Sequence, residues 1–330
     1  MNRMYSAVWY AILFVFLVTL PLYASNYWLY VLSLTMVYGI AALGLNVISG
    51  YAGQMSLAQA AYLGIGAYAS AFFTSSFQLP FLLTLLVSGL IAGILGLVLA
   101  FPSVRVRGLY LAITTLAVGV VFQRVVGQID MLGGQSGLSV SRPSIGSISF
   151  QSDFLYFYCV LTLFIISILI MYCLLRGKFL RALLAIRDNE VAAEAIGISL
   201  IFYKTLSFAV CGFYAGIAGS LYAYLIGYIG IEDFGLTQSI DFFAMIVIGG
   251  MASIPGSLLG AAFVTILPEI LRGIAEYQPA VFGILMILVV FFLPKGMVGV
   301  SDKILQIIGG MKKSNWSFPK SRSDQIDKEG

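Results

Sequence analysis

The chain is made of uninterrupted apolar stretches about as long as a bilayer is thick. A helix needs roughly 20 apolar residues to cross the hydrocarbon core, and candidate spans fall near 5–24, 28–48, 56–75, 80–101, 109–129, 154–175, 205–230, 239–252, 256–271 and 278–294. The eighth and ninth are short. Membrane barrels use strands of about ten alternating residues. Runs of this length must therefore be helices, which satisfy their backbone hydrogen bonds internally. Composition agrees: 60% of the 330 residues are hydrophobic and 10% charged, with a mean hydropathy of +1.00, outside the range of soluble domains. The predicted fold is an all-α polytopic membrane protein, about ten transmembrane helices in one bundle over 1–300. A polar tail follows over 301–330, partly amphipathic at "DKILQIIGG" and then disordered in composition. A signal peptide ending at "LYA" (Leu22 to Ala24) is the alternative for the first run, but its basic region is Arg3 alone and its removal would break the parity of the spans.

Lysine and arginine are distributed unevenly. Threading ten spans puts Arg3, the 105–107 loop, Arg176, Lys178, Arg181, Arg187, Lys204 and the basic C-terminal segment on one side. The exceptions are Arg124, Arg142 and Arg272. The positive-inside rule makes the basic side, and with it both termini, cytoplasmic. The other side receives Asp130, Asp153, Glu232, Asp233, Asp241, Glu269 and Glu276. Solvated external charge explains these acids, and salt bridges to an incoming protein are the sharper reading.

Several chemistries lack their residues. There is no histidine, which removes the commonest metal ligand and general base. Cys159, Cys173 and Cys211 lie inside apolar spans, where thiols behave as small hydrophobes. An intramembrane enzyme would have no nucleophile–base pair to use. No metal, cofactor or nucleic-acid partner is expected.

One stretch interrupts the apolar pattern without becoming a loop: "RALLAIRDNEVAAEAIG", 181–197. Asp188 is predicted as N-cap, Glu190 suits the positive end of a helix dipole, and Gly197 is placed to close the helix. About eight residues of helix, some 12 Å, are marginal alone in water. The segment must dock on something. Val191, Ala192, Ala195 and Ile196 would share one face, with Glu190, Ala193 and Glu194 on the other. An interfacial helix on lipid headgroups, helped by Arg181 and Arg187, is one reading. An alanine-rich face is a poor lipid anchor, so a groove in a partner protein suits it better.

For a pathway, "SGYAGQMSLAQAAYLG" sets Ser49, Gln54, Ser56 and Gln59 among glycine and alanine, as expected where irregular backbone lines a cavity. Tight interhelical packing with satisfied polar groups explains them equally well. Thr114 and Thr115 are weaker candidates, since threonine commonly bonds back to its own helix. Gly89/Gly93, Gly212/Gly216 and Gly256/Gly260 have the spacing that lets helix backbones approach.

The element E-x-x-A-E-A-x-G, present as Glu190, Ala193, Glu194, Ala195 and Gly197, resembles the coupling helix of ABC-importer permeases. Four further blocks occur in order: "GYAGQMSLAQAAYLGIGAYASAFF" (50–73), "RVRGLYLAITTLAVG" (105–119), "GGQSGL" (133–138) and "VIGGMASIPGSLLGAAFVTILPEIL" (247–271). Together they are similar to permeases of branched-chain amino-acid ABC transporters of the LivM type. The chain departs from many relatives at Ala58-Gln59, where Gly-His is common, and at Leu132, where threonine is common.

The resemblance implies a bacterial or archaeal cytoplasmic-membrane permease. It would work with two ABC ATPase subunits, a second homologous permease in a heterodimer, and a periplasmic or surface binding protein. Arg181, Arg187, Asp188, Glu190, Ala193, Glu194, Ala195 and Gly197 would form the ATPase-coupling element. The absence of G-x-x-x-x-G-K-[ST] from the sequence agrees with ATP chemistry residing elsewhere. A permease for urea or short amides, and a stand-alone secondary carrier, are the alternatives. A carrier usually buries an ionisable residue at the midplane and would leave the charged helix unexplained.

Overall fold

The apolar runs fold as helices. The computed structural model describes residue 21 and residues 25–299 except 107, 143, 146–147, 150–151, 275–277 and 293–295. The predicted first span, the predicted tail, Arg107 and Lys295 lie outside the described residues. In chain order the helices are α1 (Asn26–Leu45), α2 (Gln59–Phe77), α3 (Phe81–Arg105), α4 (Leu109–Gln128), α5 (Asp153–Leu174), α6 (Lys178–Asp188), α7 (Glu190–Ala195), α8 (Leu200–Ile226), α9 (Leu236–Gly249), α10 (Ile254–Ile270) and α11 (Gln278–Phe292).

Among the described residues, six segments are long and apolar enough to cross a bilayer: Asn26–Tyr51, Phe81–Phe101, Leu109–Gln128, Asp153–Leu174, Leu200–Ile226 and Ile254–Gly273. The protein is thus an all-α polytopic membrane protein, while the count of ten is not reached among the described residues. The third predicted span becomes α2, whose 19 residues are diluted by glycine, serine and alanine. The eighth, α9, is a 14-residue helix.

α1 and α8 lie at the centre of the bundle, with 78% and 72% of their spans buried, against 22% for α4 at the periphery. Lipid supplies no hydrophobic drive for helices to associate, so close van der Waals packing must do it. The glycine pairs predicted from spacing perform that role between α3 and α8. A side chain at Gly216 would press on the backbone of Gly89 and Ser88, and one at Gly212 on Ala92 and Gly93. Gly256 and Gly260 likewise seat α10 against Gly249 and the Met245 carbonyl of α9.

At the end of the bundle where α8 terminates, the loop between α4 and α5 forms short strands. β1 (Leu138–Ser139) pairs antiparallel with β4 (Tyr228–Ile229), and β2 (Ser144–Ile145) with β3 (Ile148–Ser149). Arg142 closes an ion pair of 2.6 Å on Asp153 at the start of α5. The opposite end carries α6 and α7.

Candidate functional site

Two helices occupy the stretch read as one. α6 runs through Asp188, so the predicted N-cap is the last residue of the preceding helix. The cap of α7 is Asn189, in extended conformation (φ −161°, ψ 111°), whose side chain accepts from the Ala192 N–H at 3.1 Å. Asp188 and Asn189 are both competent caps, and the length of α6 decided between them. α6 buries Ala182, Leu183 and Ile186, which makes it a docked amphipathic helix and not merely a basic flank.

The far end of α7 closes as its glycine predicts. Gly197 N–H donates to the Glu194 carbonyl at 2.9 Å and Ile198 N–H to the Ala193 carbonyl at 3.0 Å, the paired bonds of a Schellman motif. That motif holds Gly197 at φ +84°, where a Cβ is disfavoured.

The faces of α7 divide as the spacing predicts except at Glu194. Val191 and Ile196 are 66% and 74% exposed, and Ala192, Glu194 and Ala195 are exposed too. Ala193 is 2% exposed and packs inward. Glu190 also turns inward. Its Oε1 accepts from Lys204 Nζ at 2.6 Å, and Lys204 is a buried residue of α8, not the loop cation of the threading. Arg181 bonds back to the Gly177 carbonyl. Arg187 donates from Nη1 to the Gly50 carbonyl at 2.8 Å, tying α6 to the chain that follows α1.

That chain is irregular inside the bundle. α1 runs into a π-helical turn, Asn46–Tyr51, and residues 52–58 are non-helical before α2 begins. Gln59, the first residue of α2, donates to the Ala41 carbonyl at 2.7 Å and accepts from Cys211 Sγ at 2.9 Å. Cys211 lies eleven residues into α8, or about 16 Å at 1.5 Å per residue, so α2 starts at mid-depth. Asn46 supports the turn from within. Its Nδ2 donates to Ser257 Oγ at 2.8 Å and to the Ser253 carbonyl at 3.0 Å, while its Oδ1 accepts from the Ala252 N–H at 2.9 Å. Ala252 stands at φ +57° in the α9–α10 turn, which Asn46 therefore clamps beside the segment. No sequence motif pointed to Asn46. Its only signal was a polar residue at the end of an apolar span.

The predicted pathway residues divide by their bonding. Ser49, Gln54 and Ser56 are buried, and the hydroxyls of both serines and both amide atoms of Gln54 have no hydrogen-bond partner among the described residues. Such orphaned groups cost about 1–3 kcal/mol each unless something binds them, and four within eight residues mark a place for water or ligand. Gln59 differs, since its amide is engaged on both sides. Thr115 accepts from the Leu57 N–H at 2.9 Å, fastening the irregular segment to α4. Thr114 bonds back to the Tyr110 carbonyl. The structure brings Ser49, Gln54, Ser56, Thr115 and, through Gly50, Arg187 to one region, and leaves Thr114 outside it.

A polytopic helical bundle with a broken span, polar groups at mid-depth and a capped helix standing off one end defines a membrane transport protein by class. Comparison with known proteins is specific: residues 27–292 match the family described as "Branched-chain amino acid transport system / permease component", and the chain belongs to that family. It is 30% identical over 327 residues to the high-affinity branched-chain amino acid transport system permease protein LivM of Salmonella typhimurium, covering 91% of this chain and 77% of the relative. The LivM of Escherichia coli is 31% identical over the same shares. A probable branched-chain amino acid transport permease protein LivH of Methanocaldococcus jannaschii is 27% identical over 285 residues, 81% of this chain and 90% of the relative. No solved structure matches.

Proposed function

We propose that this chain is the LivM-type permease of an ABC importer that carries branched-chain amino acids into the cytoplasm. ATP hydrolysis is supplied by two separate ATPase subunits, with α7 as the element on which they act. The observation that carries this is the outward face of α7: a six-residue helix leaves Val191 and Ile196 uncovered while turning Ala193 and Glu190 inward. Apolar side chains on a charged, capped helix at the end of a bundle fit a groove in a partner protein.

The amino acid passes along the segment of Ser49, Gln54 and Ser56. Uncharged donors and acceptors suit a zwitterion that must be held weakly enough to leave. Similarity to both LivM and LivH relatives supports a heterodimer with a second permease. A substrate-binding protein delivers the amino acid on the side of the β1–β4 strand pair. The assembly sits in the cytoplasmic membrane with α6, α7 and both termini on the cytoplasmic side.

The test is co-expression with the genomic neighbours, purification, and crosslinking from Val191→Cys. A crosslink to an ATPase subunit, together with ATP-dependent uptake of labelled leucine by proteoliposomes holding the whole complex, is the expected result. An intact, folded chain that crosslinks to no ATPase overturns the docking. ATP-dependent uptake of urea in place of leucine overturns the substrate.

A further inference from the structure

Lys204 is an ammonium inside the bundle. It lies in the second turn of α8, is 1% exposed, and ranks among the largest fully buried side chains. A buried cation must be paired, and the partner is Glu190 Oε1 at 2.6 Å. Glu190 is the first residue of α7. The pair therefore joins the short helix that stands off the bundle to a helix at the bundle's centre.

Little else makes that connection. Among the side chains of α7, only Ala193 is buried. An alanine methyl resists being pushed into its neighbours but has almost no grip against being pulled away, because dispersion contacts are weak singly and short in range. A charge pair with one partner buried and the other, Glu190, 21% exposed is attractive over a longer distance and fixes direction as well as separation. It holds under tension as well as compression. A transport cycle has two strokes, and a contact that only pushes would serve one of them.

Downstream of Lys204 the path is stiff. Gly212 and Gly216 bring the α8 backbone against α3, and Gly219 brings it against the Leu63 carbonyl of α2. Cys211 bonds Gln59 at the start of α2, next to the irregular segment with its orphaned polar groups. Displacement of α8 at Lys204 must move α2 and α3 with it, as packed helices do.

We propose that the Glu190–Lys204 ion pair is the strut that transmits the movement of α7 to α8 in both strokes, making Lys204 a positioning residue of the transport cycle. The proposal rests on the reading of α7 as the ATPase-docking element. The experiment uses the reconstituted complex with Glu190→Gln, Lys204→Met, the double variant and Lys204→Arg, each carrying Val191→Cys, and measures ATP hydrolysed and leucine taken up in the same vesicles. The double variant is decisive because it leaves no uncompensated buried charge, so a merely structural pair could be replaced in this way with little effect.

The expected result is an intact complex that still crosslinks at Val191→Cys and still hydrolyses ATP, with uptake per ATP lowered roughly tenfold or more, the scale of ordinary site-to-site coupling. Lys204→Arg should recover most of it. Wild-type uptake per ATP in the double variant overturns the strut. Failure of the double variant to assemble also overturns it, by showing that the pair serves folding. Loss of the crosslink in the otherwise unaltered chain would instead sink the docking reading, so the two failures are distinct.

Discussion

Replacing Gly197 separates the geometry of the α7 cap from contact with a partner. A Cβ added there meets nothing within 4 Å, so no clash inside this chain contributes. The cost is conformational: φ +84° is disfavoured for an L-residue with a Cβ by roughly 1–2 kcal/mol. Gly197→Ala should weaken the two bonds of the Schellman motif by that amount, raising the local opening constant of α7 by a factor of about 5–30. Gly197→Asn should cost less, since asparagine tolerates the left-handed region. Hydrogen–deuterium exchange of a peptide covering 189–199 reads this directly. Protection should follow Gly, then Asn, then Ala, while the helices of the bundle stay unchanged. Gly197→Leu should match Ala in the isolated chain, and any further loss of uptake in the complex then measures crowding of the partner. If Asn and Ala exchange alike, or neither differs from glycine, the backbone explanation is wrong.

Other expectations concern neighbouring features. Asn189→Ala removes the side-chain cap of α7 and should cost about 1 kcal/mol of local stability, whereas Asp188→Ala should stay within about 0.5 kcal/mol; the same exchange measurement distinguishes them. Asn46→Ala strips a partner from the half-buried Ala252 N–H and the buried Ser257 hydroxyl and should lower stability by about 2–4 kcal/mol, read as a fall in the detergent unfolding midpoint. Asn46→Asp keeps an acceptor for Ala252 but sets a buried acid against the Ser253 carbonyl, and should lose at least as much. Gln54→Ala should leave expression and thermal stability close to normal, because its amide has no partner to strand, yet raise the KM for leucine uptake roughly tenfold. Gln59→Ala should do the reverse, lowering stability by breaking bonds to Ala41 and Cys211.

Much of this protein was legible along the chain, and the reason is solvent. In lipid the backbone has no external partner, so a run such as 205–230 or 154–175 can only be a helix, and α8 and α5 lie there. The glycine spacings of α3, α8 and α10 were equally readable, because close approach of two backbones has few other solutions. Gly197 was legible for a local reason, since its role depends on one dihedral angle and two bonds within six residues.

What sequence could not decide were questions between elements. Whether Asp188 or Asn189 caps α7 depended on how far α6 ran, and α6 ran to where its buried face ended. Which side of α7 faces the bundle could not come from its own apolar pattern. The more apolar residues, Val191 and Ile196, point away, and the inward side is chosen by a lysine fourteen residues further on. Ser49, Gln54, Ser56 and Gln59 look alike as a polar string among small residues. Only the tertiary structure separates the glutamine bonded to α1 and α8 from the three side chains left without partners, because a hydrogen bond between helices depends on where their backbones come to lie.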